Sequence, residues 1–145
     1  LRAALESFAA QLAVERGHID EAALSVLADR LADITRAADA ADVPGMVAAD
    51  LAFHTTLSGF SGHALLMEHL AAIQVQSRRV LFYSDLYRPT PEVVVQRHRD
   101  LLDLLRTGDA YEVALAIDRH ITGPHLDIVE QMREREGRGS ADEDT

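Results

Sequence analysis

The chain has 145 residues, the size of one domain with a sizeable core, and its 24 acidic and 14 basic residues give a formal net charge of −10. This charge argues against DNA or RNA binding by the segment alone, because a phosphate backbone would repel it. The chain has no cysteine, so any metal must bind through nitrogen and oxygen ligands. No apolar run reaches the ~20 residues that cross a bilayer, and no signal peptide is present, so we expect a cytoplasmic protein without membrane contact.

Apolar residues at helical spacing predict the first two helices. The first covers about residues 1–16 and ends at Gly17, the position expected of a helix C-cap. The second covers about residues 21–38 and follows Asp20, a good N-cap. The predicted inward residues are Leu1, Leu5, Phe8 and Leu12 in the first helix and Leu24, Leu27, Leu31 and Ile34 in the second. The chain opens in this pattern without methionine, so we expect it to be a piece of a longer protein.

Four more helices follow. The third begins after Asp42 and ends within residues 58–62, and the fourth covers about residues 63–87. The fifth covers about residues 91–106, and the sixth begins after Asp109 and continues to about residue 136, bent or interrupted at Pro124. Residues 137–145 are small, polar and acidic, which predicts a disordered acidic tail. The sequence therefore predicts an all-α antiparallel bundle of about six helices in residues 1–136, enclosing a metal or ligand cavity.

Polar side chains interrupt the inward stripe of the third helix. Asp50 and His54 are four residues apart and therefore lie on one face, together with Val47, Leu51 and Leu57. A carboxylate and an imidazole in such a stripe must be paired, hydrogen-bonded or bound to a metal, because an unpaired buried charge is costly.

The fifth and sixth helices each add a histidine to their inward stripes. His98 shares its face with Val94 and Leu102, and His120 shares its face with Val113 and Ile117. Three imidazoles and one carboxylate suit zinc, manganese, iron or nickel, either as a closed tetrahedral zinc site or as an octahedral site with open positions. The alternative is that each histidine is a hydrogen-bonded core residue.

The order of the motifs resembles a known family. Asp-x-x-Phe-His at residues 50–54 is followed by Ser61-Gly62, by His-x-x-Leu-Leu-x-Leu-Leu-x-x-Gly-Asp at residues 98–109, and by a helix with His120. Together with the opening Arg2-Ala-Ala-Leu-Glu6, this pattern is similar to the FCD domain, the effector-binding C-terminal domain of the FadR subfamily of GntR-type bacterial transcription regulators. The likeness covers about residues 1–130.

The resemblance implies a metal site and a sensing function. In metal-binding members of the family an aspartate and three histidines hold a divalent cation. Those ligands fall on Asp50, His54, His98 and His120, with zinc the first choice and nickel, manganese or iron the others. His63 departs from the family pattern, which usually has asparagine after Ser-Gly, and it adds a histidine near the cavity.

The resemblance also implies a small organic acid that binds beside the metal. Arginine matches carboxylate geometry with two parallel hydrogen bonds, so Arg2, Arg78 and Arg79, with His63, are the tentative effector-binding residues. Effector binding would modulate DNA binding by an N-terminal winged helix-turn-helix that this chain lacks, in a homodimer.

Two other functions fit parts of the pattern. A site with three histidines, one aspartate and open positions could activate water in a metal-dependent hydrolase, but no inward nucleophile or general base accompanies it. A purely structural dimerisation bundle would use the histidines as core residues. We interpret the chain as a sensor rather than an enzyme.

Overall fold

The computed structural model describes residues 1–83 and 90–123, except for the side chains of residues 77–83. These residues form six helices and no strand, which confirms the all-α prediction: α1 (Arg2–Glu15), α2 (Glu21–Asp39), α3 (Val43–Gly59), α4 (Ala64–Tyr83), α5 (Pro91–Leu105) and α6 (110–123). The predicted end of the fourth helix near residue 87, the bend at Pro124, the sixth helix beyond residue 123 and the acidic tail lie outside the described residues.

The helix boundaries follow from local capping. Asp20, Asp42 and Asp109 each accept a hydrogen bond from the backbone N–H three residues further on, at 2.8, 2.9 and 3.0 Å. Each bond satisfies one of the N–H groups that a helix leaves without an internal partner. Gly17 follows α1 with a φ of +70°, the left-handed conformation that glycine adopts without strain. All four residues therefore act as predicted.

α2 packs against α3 and α5, while α3 also packs against α1 and α4, and α1 packs against α4. Leu24, Leu27 and Ile34 of α2 are buried, as their spacing predicts, and Leu31 is partly buried against the same core. Burial of a side chain of this size stabilises the fold by about 1.5–3 kcal/mol, so this stripe fixes the face that α2 turns inward.

The prediction that Leu1 and Phe8 of α1 face inward is wrong. Leu1 and Phe8 are 84% and 48% exposed. The buried residues of α1 are Arg2, Ala3, Glu6, Ala9, Ala10 and Ala13. Small alanine side chains let α1 approach its neighbours closely, and an ion pair between Arg2 and Glu6 removes much of the cost of burying both charges. The helix therefore presents two charged residues to the interior.

The end of α1 is tied to the turn between α3 and α4. Arg16 donates a hydrogen bond of 2.6 Å from Nη1 to the carbonyl oxygen of Ser61, and Nδ1 of His18 lies 2.8 Å from the carbonyl oxygen of Phe60. These contacts satisfy two carbonyl groups of the turn. They also fix α1 relative to α3, the helix that carries Asp50 and His54.

Candidate metal centre

Four side chains from three helices meet inside the bundle. Asp50 and His54 lie on α3, His98 lies on α5 and His120 lies on α6. Each offers one ligand atom, and these atoms all lie within 4.8 Å of one another. The structure therefore brings together the four residues that helical spacing placed on inward faces.

The His98 ring is fixed by its own helix. Its Nδ1 lies 2.8 Å from the carbonyl oxygen of Val94, and this contact requires Nδ1 to carry the proton and donate. In the neutral ring the lone pair is then on Nε2, which lies 3.2 Å from Oδ1 of Asp50. Two acceptor atoms face each other across this gap, so the arrangement requires a positive charge, either a proton on His98 or a bound cation.

Asp50 is held in its ionised form. Burial by itself raises the pKa of the Asp50 carboxyl, but a contact with the His98 ring and the electrostatic effect of His54, His98 and Arg2 together hold this pKa well below its usual range. Nη2 of Arg2 lies 3.8 Å from Oδ2 of Asp50. The carboxylate is therefore ionised at neutral pH and available as an anionic ligand.

Glu6 is a buried carboxylate beside the site that the sequence interpretation missed. Its Oε2 lies 3.0 Å from Nδ1 of His54, and both side chains are 1% exposed. Its Oε1 accepts a hydrogen bond of 2.7 Å from Nε of Arg2. Burial raises the pKa of Glu6, and the neighbouring His54 ring and Arg2 guanidinium outweigh that effect and lower it. A charged residue within the alanine-rich face of α1 is the sequence signal that marks this position.

The Glu6 carboxylate favours one tautomer of His54. An anion beside Nδ1 stabilises the proton on that nitrogen, which leaves the Nε2 lone pair free for a metal. The two atoms are close but do not meet the angular requirement of a hydrogen bond, and Nε2 likewise has no hydrogen-bond partner among the described residues. Nε2 lies 3.9 Å from Oδ1 of Asp50 and so points toward the other ligands.

His120, on α6, is the fourth member of the cluster. Its ring centroid lies 4.6 Å from that of His98 and 4.9 Å from that of His54. Burial, with the electrostatic effect of the neighbouring His54 and His98, lowers the pKa of His120 to about 2. His120 is therefore a neutral imidazole, the form that binds a metal. The Phe53 ring packs edge-on against His98, with 4.9 Å between centroids, and holds the His98 ring in place.

The four residues fit a divalent transition metal. The Nε2 atoms of His54 and His98 are buried and have no hydrogen-bond partner among the described residues, so each has a lone pair directed into the cluster. A cation ~2.0–2.2 Å from each ligand atom separates trans ligand atoms of an octahedral site by about 4.4 Å and the ligand atoms of a tetrahedral site by about 3.5 Å. The upper limit of 4.8 Å therefore requires a small contraction for an octahedral site and a contraction of about 1 Å or more for a tetrahedral one.

The tentative effector residues occupy different positions. Arg2 is buried and already binds Glu6. Nδ1 of His63 accepts a hydrogen bond of 3.2 Å from the backbone N–H of Leu66, so this ring caps α4 and is not part of the four-residue group. Arg78 and Arg79 lie on α4, with side chains outside the described part of the chain.

The fold and the site together define an all-helical domain with a candidate metal centre of three imidazoles and one carboxylate. Within residues 1–83 and 90–123, no helix is long and apolar enough to cross a membrane. A sequence model of the FCD domain matches residues 1–123, so the chain belongs to the FCD domain family. FCD domains are the effector-binding domains of GntR-type transcription regulators, which places the chain among regulatory domains. No curated protein matches the chain significantly.

Proposed function

We propose that this chain is the ligand-sensing domain of a GntR-type regulator of the FadR subfamily, and that it binds a divalent metal and a small carboxylic acid. The ligands of the metal are Asp50, His54, His98 and His120. The acid modulates DNA binding by an N-terminal winged helix-turn-helix in the parent protein, which acts as a homodimer on a palindromic operator.

The contact between His98 and Asp50 carries the metal part of this proposal. The proton on Nδ1 of His98 is directed at Val94, so its Nε2 lone pair faces the Asp50 carboxylate at 3.2 Å. A cation between these two atoms converts a repulsive contact into two coordinate bonds. His54 and His120 lie within the same 4.8 Å and complete the ligand set.

The donor set favours zinc, with nickel, manganese and iron as the other candidates. Imidazole nitrogen suits zinc, nickel and iron, and carboxylate oxygen suits manganese as well. When bound in a site with open positions, such a cation supplies a fixed positive charge that attracts a carboxylate, above all one with an α-hydroxyl group that can chelate.

The positions of the four ligands indicate how effector binding could change the arrangement of the helices. The four ligands connect α3, α5 and α6, and the Arg2–Glu6 pair adds α1 through His54 and Asp50. A ligand that holds these helices in one arrangement shifts the population toward that arrangement, by no more than its difference in affinity for the two. Through the Arg2–Glu6 pair, α1 would transmit this arrangement to the proposed N-terminal DNA-binding domain.

Metal analysis of tag-free protein tests the site. We expect about one metal ion per chain in the wild-type protein and in His69→Ala, which removes an exposed histidine outside the cluster. Asp50→Ala and His120→Ala are expected to lose the metal while remaining helical by circular dichroism. Absence of stoichiometric metal from wild-type protein refolded with each of the four candidate ions would refute the metal site.

Thermal unfolding with a panel of hydroxy acids and sugar acids tests sensing. A ligand that binds only the folded state raises Tm in a concentration-dependent way. We expect at least one acid to raise the Tm of metal-loaded protein and to have a weaker effect on Asp50→Ala. A panel without any effect on the metal-loaded wild-type protein would contradict the sensing function.

A further inference from the structure

An imidazole takes the place of the usual capping oxygen at the start of α4. Nδ1 of His63 accepts a hydrogen bond of 3.2 Å from the backbone N–H of Leu66, and the carbonyl oxygen of His63 accepts the first bond of the helix from the N–H of Met67, at 3.1 Å. This is the arrangement of an N-cap, which most helices build from the side-chain oxygen of serine, threonine, aspartate or asparagine. Histidine differs from these residues because its charge changes between pH 5 and pH 8.

The cap requires one protonation state of His63. Nδ1 accepts the bond from Leu66 only when it has no proton, which places the single proton of the neutral ring on Nε2. A second proton would enter at Nδ1 and turn the capping atom into a donor that faces the N–H of Leu66. The ring would then also carry a positive charge at a helix N-terminus, where the helix dipole disfavours cations. Protonation and capping therefore exclude each other at this position.

The charged and titratable groups that face this cap from other elements lie at the end of α1. A Cβ atom built on Gly62 would lie 3.8 Å from Nη1 of Arg16 and 3.8 Å from Cε1 of His18, so both side chains lie against the residue before His63. The last turn of α3 and the turn after it contain no charged residue, and the first acidic residue of α4 is Glu68, beyond its first turn. Within the described part of the chain, no carboxylate forms an ion pair with His63.

His18 holds the same turn with the opposite proton requirement. Its Nδ1 lies 2.8 Å from the carbonyl oxygen of Phe60, so this nitrogen has to carry a proton and donate. A second proton on His18 would enter at Nε2 and leave that bond in place. Arg16, which donates to the carbonyl oxygen of Ser61, is always charged. Acidification therefore acts on the α4 side of this turn and leaves the bonds from α1 intact.

We propose that His63 is a pH-sensitive cap of α4: the neutral ring holds the first turn of the helix, and the protonated ring releases it. His63 is partly exposed, so protons from solvent reach the ring. Leu66, whose N–H it binds, is only 5% exposed, so loss of the cap acts on a core position. Because α2, α3 and α6 begin with aspartate caps, this response is confined to α4. The cap is independent of the proposed metal and acid.

Amide hydrogen exchange of Leu66 between pH 8 and pH 5 tests the proposal, because this N–H is bound by the ring of His63. The rate is divided by that of an unprotected amide at the same pH, which removes the intrinsic effect of pH. We expect the protection of Leu66 in wild-type protein to fall about fivefold, the effect of losing one capping bond of ordinary strength. The midpoint of this fall should coincide with the titration of the His63 ring, followed by NMR in the same sample.

His63→Asn is the decisive variant, because asparagine caps a helix through a side-chain oxygen that does not titrate. We expect the protection of Leu66 in this variant to change less than about twofold over the same pH range. His69→Asn is the matched control, since it removes an exposed histidine from the same helix and leaves the cap in place, so the fall is expected to persist. Each variant keeps all the other ligands and histidines, and any response of the metal centre is therefore common to the three proteins.

Two results on wild-type protein alone would overturn the proposal. One is a His63 ring with its proton on Nδ1 at pH 8, which ¹⁵N NMR of the imidazole detects. The other is a ring that titrates while the protection of Leu66 stays constant. An equal fall of protection in wild type and in folded His63→Asn would likewise assign the response to another group.

Discussion

Oε2 of Glu6 lies 3.0 Å from Nδ1 of His54, and both side chains are almost completely buried. This contact connects the first helix of the domain to a ligand of the candidate metal centre. Because Arg2 binds the other oxygen of the same carboxylate, Glu6 is fixed in position beside one nitrogen of the ring. The carboxylate therefore favours the tautomer of His54 whose Nε2 can bind a metal.

Glu6→Gln is expected to weaken metal binding about 10- to 100-fold, the usual effect of removing a partner that orients a ligand. The amide lacks the negative charge that favours a proton on Nδ1 of His54, and its single oxygen cannot serve both Arg2 and the ring. Competition with a chromophoric chelator measures the affinity, and ¹⁵N NMR of the imidazole measures the tautomer populations.

Glu15→Gln is the matched control for this change. Glu15 is exposed at the other end of α1, and its one hydrogen bond within the described part of the chain comes from Gln11. We expect its metal affinity to stay within twofold of wild type. Equal metal affinities of Glu6→Gln and wild type would show that the carboxylate does not orient His54.

Metal removal is expected to lower thermal stability. At a free metal concentration about 100 times Kd, binding stabilises the folded state by about 2.7 kcal/mol, which corresponds to a Tm difference of roughly 10 °C for a domain of this size. Scanning calorimetry with zinc and with a chelator measures the difference. In His98→Gln the two scans are expected to coincide, and a persistent zinc effect in this variant would place the ion elsewhere.

Metal-free protein is expected to lose stability on mild acidification. The pKa of His120 is lowered from its ordinary value of 6.5 to about 2. The unfolded state therefore takes up a proton below pH 6.5 that the folded state does not, so the free energy of unfolding falls as the pH falls. Well above pH 6.5, His120 does not change the free energy of unfolding. Between pH 7 and pH 5, it lowers the free energy of unfolding by up to about 2 kcal/mol.

Urea unfolding in the presence of a chelator at pH 7, 6 and 5 measures this dependence. His120→Gln does not titrate and should lose correspondingly less stability over this range. The lowered pKa values of Glu6 and Asp50 affect stability only at lower pH, near and below the ordinary carboxyl values of 4.5 and 3.8. The same loss of stability in His120→Gln as in wild type would argue against a neutral buried ring.

Gly45 is expected to show a substitution effect that depends on Asp42. Replacing a helical glycine by alanine normally stabilises a helix by up to about 1 kcal/mol. A Cβ atom at position 45 would overlap Oδ2 of Asp42, so Gly45→Ala displaces the N-cap side chain. Loss of the N-cap hydrogen bond costs about 1 kcal/mol and offsets the gain in helix propensity. We expect little net change in wild type and stabilisation of about 1 kcal/mol in the Asp42→Ala background. Chemical unfolding of the four proteins of this cycle measures the coupling, and strict additivity would contradict it.

The sequence by itself determined the helices, their caps and the inward faces that carry Asp50, His54, His98 and His120. Periodicity and capping are local: a side chain four residues away lies on the same face whatever the helix packs against, so Asp50 and His54 had to point together. His98 and His120 could be placed on the inward faces of their helices because large apolar residues share those faces.

Only the tertiary structure decided which face of α1 is buried. Periodicity favoured Leu1 and Phe8, but the small side chains of Ala9 and Ala10 allow closer packing with the neighbouring helices. With this face buried, Glu6 lies beside His54 and Arg2 lies beside Asp50. The residues of each pair are 48 positions apart, so no local sequence pattern predicts these contacts. They depend on which helix faces pack together, because the energy of packing two surfaces depends on both of them.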